Sequence, residues 1–386
     1  MSKDFASNAD AVLHPGCLLI TATGVGSAGR VLLLTDDAPM VADAHVTVLT
    51  VNDIQDAAYL CAYLQSPIGK QQLLRLHRGS SRQIEIYPED ILAVLVPEID
   101  ATVRSSIGTR WLQAADAVRR SRGAVNEAEA QILDVGGVQP RTYYGNDKTW
   151  STDLSALSVG GRRIDAEYAF PPIERLRRDL LAHGAIPLRD LVISVGKGFQ
   201  PEGYTGDGPT RVIKSKDVHY PDLDLAECSR TDDDDWPSYL RGGELLLNST
   251  GQGTLGRSTV VPPRRTNDPL LIPSVDLLVL ELDRAVVVPE YVALFLNSDV
   301  GRSLTEALQT GSSGQQHLYP DHFGAIPVPL PRDAAGQPDL GRQRATVAIA
   351  ERRLTALRDA RRVAAELDHE FLDILGVPVD LSLVPA

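Results

Sequence analysis

Gly242-Gly243-Glu244-Leu245-Leu246-Leu247-Asn248-Ser249-Thr250-Gly251-Gln252-Gly253-Thr254-Leu255-Gly256-Arg257 repeats a stretch from the start of the chain, Pro15-Gly16-Cys17-Leu18-Leu19-Ile20-Thr21-Ala22-Thr23-Gly24-Val25-Gly26-Ser27-Ala28-Gly29-Arg30. The second copy lies 227 positions after the first, counted from Arg30 to Arg257. Another block also recurs: Gln65-Ser66, Gly69, Gly79-Ser80-Ser81 and Tyr87-Pro88 return as Asn297-Ser298, Gly301, Gly311-Ser312-Ser313 and Tyr319-Pro320. Here the offset is 232, counted from Tyr87 to Tyr319. Each copy runs into a long helical pattern, so the chain reads as two similar modules on two helical arms.

Working outward, the first module spans about Leu13 to Pro97. Short apolar runs separated by Gly, Asp and Pro predict strands at Leu18–Thr21, Val31–Leu34 and Val46–Val51. Helices are expected over Ile54–Leu64 and Ile68–Leu76, and a last strand over Ile91–Val96. The period then changes. Trp111, Val118, Val125 and Ile132 are spaced by seven; Ile107, Ala114 and Ala128 fill a second seam that Ser121 interrupts. Gly136-Gly137 should stop this helix. A polar connector follows, from Gln139 to about Gly161. The second module starts near Arg163, and its first half, to about Leu240, has no counterpart in the first. That half predicts a helix at Pro172–His183 and strands near Leu188–Ser194 and Arg211–Lys214. The final helix is expected from Leu340 to Leu375. Leu340, Val347 and Leu354 form one seam, with Arg361 where a leucine belongs; Ala350, Leu357, Ala364 and Phe371 form the other. The two arms are expected to pair with each other as an antiparallel coiled coil.

Composition narrows the classes. With 386 residues, 43% hydrophobic and 23% charged, this is an ordinary globular composition with room for two or three domains. No apolar run of about 18 residues predicts a membrane span. The polar start, Met1–Asp10, reads as neither a signal nor a transit peptide, and Cys17, Cys61 and Cys228 lie too far apart for a disulfide framework. A reducing cytoplasm is expected. The net charge of −13 argues against a bulk nucleic-acid binder but permits a local basic face. Lys70, Arg75, Arg78 and Arg82 form such a stretch without an acid. Asp232-Asp233-Asp234-Asp235 reads as a solvated loop before it reads as a metal site.

Both glycine stretches match G-x-G-x-x-G, the pattern of a dinucleotide site. That site requires a helix to begin within the glycines. Here Val31-Leu32-Leu33-Leu34 and Ser258-Thr259-Val260-Val261 follow, which read as strands. The glycines then form tight loops between strands, and Arg30 and Arg257 either reach a phosphate or pair with a nearby carboxylate. Gly79-Ser80-Ser81-Arg82-Gln83 and Gly311-Ser312-Ser313-Gly314-Gln315-Gln316-His317 are solvent-exposed connections on one reading and DNA-contacting loops on the other, since Gln, Arg and His suit base edges. No metal-ligand spacing, nucleophile elbow or methyltransferase loop occurs, so no catalytic role is expected.

Laid out in this way, the chain resembles the specificity (S) subunits of type I restriction–modification systems. Gly243-Glu244-Leu245-Leu246-Leu247-Asn248-Ser249-Thr250-Gly251 with Gly256-Arg257 is similar to that family's G-D-[IL]-L-x-[ST]-x-x-G…G-[KR] block. Val288-Pro289-Glu290-Tyr291-Val292 with Leu296-Asn297-Ser298, and Ile326-Pro327-Val328-Pro329-Leu330-Pro331 with Gln343, resemble the helix and exit that follow. Gly161-Arg162-Arg163-Ile164-Asp165-Ala166-Glu167-Tyr168 and Arg211-Val212-Ile213-Lys214-Ser215-Lys216-Asp217-Val218 look like segments of its target-recognition domain.

The resemblance implies an α+β fold of two target-recognition modules, each followed by a long helix, the helices pairing as an antiparallel coiled coil. The parts would be a partial first recognition domain (1–97), a spacer helix (98–137), a connector (138–162), a complete second recognition domain (163–331), and a second spacer helix with tail (332–386). It implies a non-catalytic subunit of a restriction or phage-defence complex in the cytoplasm. Its partners would be double-stranded DNA and adenine methyltransferase subunits, with a restriction or effector subunit as a further one. No cofactor is expected on this chain, because S-adenosylmethionine belongs to the methyltransferase. Phosphate contacts are expected from Lys197, Lys214, Lys216 and Arg257, and base-edge contacts from Gln252, Thr254, Gln315 and Gln316, with Ser312 and Ser313 beside them. Arg30, Lys70, Arg78 and Arg82 are the first module's candidates for DNA or a partner. The truncated first module is the departure from the family pattern. It leaves a second reading open: a scaffold of the same ancestry that holds a methyltransferase or effector without reading sequence.

Overall fold

In Cys17-Leu18-Leu19-Ile20-Thr21 the alternate residues Leu18 and Ile20 are fully buried on one face, and Cys17 is buried on the other with Leu13 and Leu34, so both faces of the strand are covered at this end. The structure, a computed structural model, describes residues 12–24, 27–37, 40–79, 84–139, 149–151, 168–223, 225, 228–233, 236–237, 239–251, 253–311 and 316–376. Contacts divide the chain into two units. Unit one is Met1–Ser121 with Thr355–Ala386; unit two is Arg122–Leu354.

In unit one, β1 (Val12–Leu13) pairs antiparallel with β4 (Met40–Val41). β2 (Cys17–Thr21) lies between β3 (Val31–Leu33) and β5 (Val46–Thr50), antiparallel to both. Helix α1 (Ile54–Gln65) starts at Asp53, whose carboxylate accepts the backbone N–H groups of Gln55 and Asp56. Ser66 ends α1 and caps α2 (Pro67–Arg75), accepting from Gly69 N. A side chain at Gly69 would put its Cβ 2.2 Å from Tyr63 O, so glycine is required where the second helix turns back on the first. The turn α3 (Pro88–Ile91) precedes the long helix α4 (Ala101–Val135), whose first part, to Ser121, belongs to unit one.

In unit two, α5 (Pro171–Ala182) buries Ile173, Leu176 and Leu180. β6 (Ile186–Pro187) leads through a 3-10 turn, Leu188–Leu191, into β7 (Val192–Lys197). β8 (Thr210–Ile213) and β9 (Ser229–Thr231) belong to a three-stranded sheet. β10 (Leu245–Asn248), β11 (Ser258–Val260), β12 (Leu270–Pro273) and β13 (Leu277–Leu282) follow. One sheet runs β11-β10-β13-β7, and the other runs β12-β8-β9 with β12 parallel to β8. Helices α6 (Pro289–Asn297), α7 (Asp299–Glu306) and the turn α8 (Pro320–Phe323) precede β14 (Pro327–Val328) and the long helix α9 (Leu340–Leu375).

The sequence repeat is a structural repeat. β3-β2-β5 corresponds to β11-β10-β13, and α1, α2 and α3 correspond to α6, α7 and α8. Single bonds are repeated too. Tyr59 donates to Pro97 O as Tyr291 donates to Pro329 O, and Gln65 donates to Val31 O as Asn297 donates to Ser258 O. Gly301 meets Phe295 O as Gly69 meets Tyr63 O. The helix ends also match, which the sequence reading missed: Phe371-Leu372-Asp373-Ile374 and Gly376 correspond to Ile132-Leu133-Asp134-Val135 and Gly137. Gly376 and Gly137 have φ of 63° and 62°, the left-handed stop expected of a helix C-terminus.

Each unit is closed by a helix tail that begins in the other. In unit one, Phe371 is fully buried, with ring centroids 5.9 Å from Tyr59 and 5.3 Å from Tyr63. Arg110 pairs there with Glu366 and Glu370. In unit two, Ala128 and Ile132 are buried with Val347 and Ala350, Thr346 donates to Gln131, and Arg352 pairs with Glu127. The helices therefore run antiparallel within each unit.

Several expectations need correction. Ile91–Val96 is no strand: α3 ends at Ile91, and the chain beyond it has no strand partner among the described residues. Its counterpart β14 exists because β6 pairs with it, and the described residues of unit one include no matching strand there. Leu188–Ser194 is a turn before it is a strand. On α9, Ala364 is exposed and Leu367 is buried instead, while Arg361 is exposed and on neither seam. A straight helix drifts about 20° per heptad from a strict seven-residue repeat, and the end of α9 turns the face that α1's tyrosines cover. The connector from Gln139 and the Gly161–Glu167 motif fall almost wholly outside the described residues, as do Asp234 and Asp235. All three cysteines are free and buried, and no helix among the described residues is long and apolar enough to cross a membrane.

The helix tails each half-bury an acid. Burial pushes the Glu129 carboxyl up to about 7, with the charge of Asp299 adding to it. Burial pushes Asp368 up to about 6 against the pull of Lys70 and His369. A folded state that holds these protons more tightly than the unfolded chain is most stable when they are protonated, and loses that stability as pH rises through the folded values. Thermal melts should show this: between about pH 5 and pH 8 the wild-type Tm should fall, and Glu129→Gln should fall less. In the same assay Phe371→Ala should cost about 3–5 kcal/mol, whereas Leu357→Ala, at a half-buried position, should cost under about 2 kcal/mol.

Candidate nucleic-acid interface

Strand β10 ends in a loop that the glycines shape. Gly251 has φ of 101° and Gly256 of 78°, and strand β11, not a helix, follows. The loop closes on itself: Leu255 N donates to Gly251 O at 3.0 Å and Gly256 N to Asn248 O at 2.9 Å. Gly251 N reaches across to Gln316 O at 3.3 Å, and Thr310 and His317 bridge antiparallel beside it. The glycine loop and the Gln316–His317 strand therefore lie side by side.

Asp276 holds the start of the glycine loop. Its carbonyl accepts Ser249 N and Oγ, and its carboxylate accepts Thr250 Oγ1 at 2.6 Å. A cleft of about 460 Å³ opens here, lined by Ser215, Thr250, Gly251, Thr254, Asp276, Gln316 and His317. A second, of about 310 Å³, shares Thr250, Asp276 and His317 and adds Lys197 at the exposed end of β7. The buried Asn248 holds the Ser215 turn in place by donating to Ser215 O at 3.0 Å. A cation, an amide, an imidazole, hydroxyls and one carboxylate thus face common openings. Cations take phosphates, amides and hydroxyls suit base edges, and a carboxylate accepts from the amino group of cytosine.

The structure brings together some of the residues expected from sequence and not others. Lys197, Thr254 and Gln316 meet at these clefts. The Thr254 hydroxyl donates within its own loop, to Thr250 O and Gly251 O, so it offers a ligand only its acceptor side. Lys214 Nζ lies 3.7 Å from the centroid of the Tyr204 ring, and Lys216 pairs with the buried Asp217 at 2.8 Å. Arg257 is half-buried and lines neither cleft. Gln252, Ser312, Ser313, Gln315 and Arg82 lie outside the described residues. Sequence reasoning missed Ser215 and Asp276, and it read His317 only as part of the Gly311 loop. His317 could have been singled out, because it ends the Gly311 loop that repeats Gly79. Asp276 carries no local signal, since only strand pairing brings it to Thr250.

Unit one builds the same loop with different chemistry. Gly24 again has φ of 101°, and its N–H donates to Ile84 O at 3.2 Å. Glu85 stands where His317 stands in unit two, bridging Thr23 and Arg78. Arg78 pairs with Asp90 and lies over the Tyr87 ring. Arg30 and Lys70 instead line a separate cleft of about 550 Å³ with Trp111 and Asp368.

No protein-family model and no curated protein matches the sequence. Among solved structures, the S subunit of a type I restriction–modification system from M. genitalium is similar at 12% identity and a TM-score of 0.32, covering 95% of this chain and 83% of that one. The HsdS subunit from Thermoanaerobacter tengcongensis is similar at 13% identity and a TM-score of 0.28, covering 96% and 83%. A chain from a structure of the assembly and conformational transition of the type I R-M system is similar at 14% identity and a TM-score of 0.33, covering 95% and 83%. Likenesses of this degree assign no function.

Proposed function

We propose that this chain is a non-catalytic DNA-recognition subunit of a type I-like restriction–modification or phage-defence complex, and that it directs a partner adenine methyltransferase to its site. The observation that carries the reading is the doubled module: the same loop, strands and helix pair occur in both units, each closed by two antiparallel helices. That is the organisation the sequence motifs imply. Unit two does the reading in this proposal, through Lys197, Gln316 and His317 with the undescribed Gln252 and Gln315 on the same loops. The methyl donor stays with the methyltransferase, and the chain supplies position alone. Glu85 and the Arg78–Asp90 pair favour a holding role over a reading role for unit one.

Binding of the full chain to duplexes, alone and with its methyltransferase, measured across salt, tests this. Lys197→Ala should weaken all duplexes alike and reduce the salt slope by about 1. Gln316→Ala should relax one base-pair position by about 1–3 kcal/mol and broaden the sites methylated in cells. If both variants kept wild-type affinity, salt slope and methylated sites, unit two would not be the reader.

A further inference from the structure

Unit two shows what lies against the end of a module. There α5 and β6 cover the chain before α9. β6 pairs with β14, Leu188 N donates to Ile326 O at 2.8 Å, and Arg189 N donates to Gly324 O at 3.0 Å. In unit one the matching chain, Leu92–Pro97, has no such cover among the described residues. Leu92 is 75% exposed, Leu95 78% and Val96 37%. Leu92 O and Val94 O, the counterparts of Gly324 O and Ile326 O, receive no donor from a described residue.

This uncovered edge is nonetheless held in place. Leu95 O accepts from Tyr63 Oη and Gln72 Nε2, Leu95 N donates to Gln72 Oε1, and Pro97 O accepts from Tyr59. Two leucines fixed outward beside two open carbonyls suit an apolar segment that brings backbone N–H groups. The surroundings set its charge. From Ile84 to Val103 there are Glu85, Glu89, Asp90, Glu98 and Asp100 and no basic residue, and of these acids only Asp90 is paired with a cation among the described residues, by Arg78. Such a rim repels DNA phosphate and attracts a cationic partner.

We propose that the Leu92–Pro97 edge of unit one docks a basic amphipathic helix of a partner protein, followed by a short extended stretch whose backbone donates to Leu92 O and Val94 O. The internal precedent is α5 with the turn after it, which buries Ile173, Leu176 and Leu180 and leaves Arg175 and Arg178 exposed. A second copy of this chain is a poorer occupant, because its matching segment already fills its own unit two.

The probe is a fluorescein-labelled peptide of residues 168–191 carrying Leu180→Ala. That change makes room for Leu375, which stands where Gly136 stands in unit two, against Leu180. The peptide should bind the full chain saturably, and more weakly as salt rises. Leu92→Lys with Leu95→Lys, at two exposed positions, should leave the melting temperature unchanged and weaken binding at least about tenfold. A peptide also carrying Arg175→Glu and Arg178→Glu should lose about as much. Absence of binding would overturn the proposal, as would equal binding by the double variant. A dimer of the chain alone that the double variant abolishes would assign the edge to self-association instead. DNA binding by unit two, measured on the same samples, keeps this outcome separate from that of the reading role.

Discussion

The contact of Phe371 with Tyr59 and Tyr63 is the one on which unit one depends. Helix α1 presents an aromatic face that its own module does not cover, and the end of α9 covers it. Unit two repeats the arrangement with Ala128 and Ile132 of α4 in the matching role. Each module is therefore completed by the tail of the helix that leaves the other, and unit one joins two separate pieces of chain while unit two is one. Changing a helix tail alters the module that did not give rise to it. This is why the acids Asp368 and Glu129, distant in sequence from the Lys70 and Asp299 whose charges they feel, respond to the burial those modules impose.

Much of this was legible in the sequence. The repeat predicted the paired strands and the glycine loop, because alternating apolar residues and positive-φ glycines act locally. It also predicted that a strand and not a helix follows each glycine loop, as Val31–Leu33 and Ser258–Val260 do. What was not legible depended on partners remote in sequence. Pro327–Val328 is a strand because Ile186–Pro187 reaches it, while Leu95–Val96, similar in composition, has no strand beside it among the described residues. Ala364 fits the heptad but Leu367 is buried, because the face of α9 is chosen by the tyrosines it meets.

The two units share a scaffold and differ in surface chemistry. In unit two the loop pair carries His317, Gln316 and a nearby exposed lysine. In unit one Glu85 takes the histidine's place, and Arg78 is occupied by Asp90 and Tyr87. A net charge of −13 is then no obstacle to DNA recognition by the chain as a whole, because the acids and the candidate contacts are not spread evenly. Repetition conserves the frame, and a few substitutions at loop ends redirect what the frame presents.

Because the residues that close unit one come from both ends of the chain, its completion has an order in time. On the ribosome, Tyr59 and Tyr63 emerge long before Phe371. The roughly 250 residues between Ser121 and Phe371 take on the order of 10–50 s to synthesise at about 5–20 residues per second. Unit two, whose residues are contiguous, can fold within that interval. The nascent protein thus passes through a stage in which one unit is finished and the other waits with its aromatic face uncovered, and that waiting stage is where a chaperone or a premature stop would have its greatest effect.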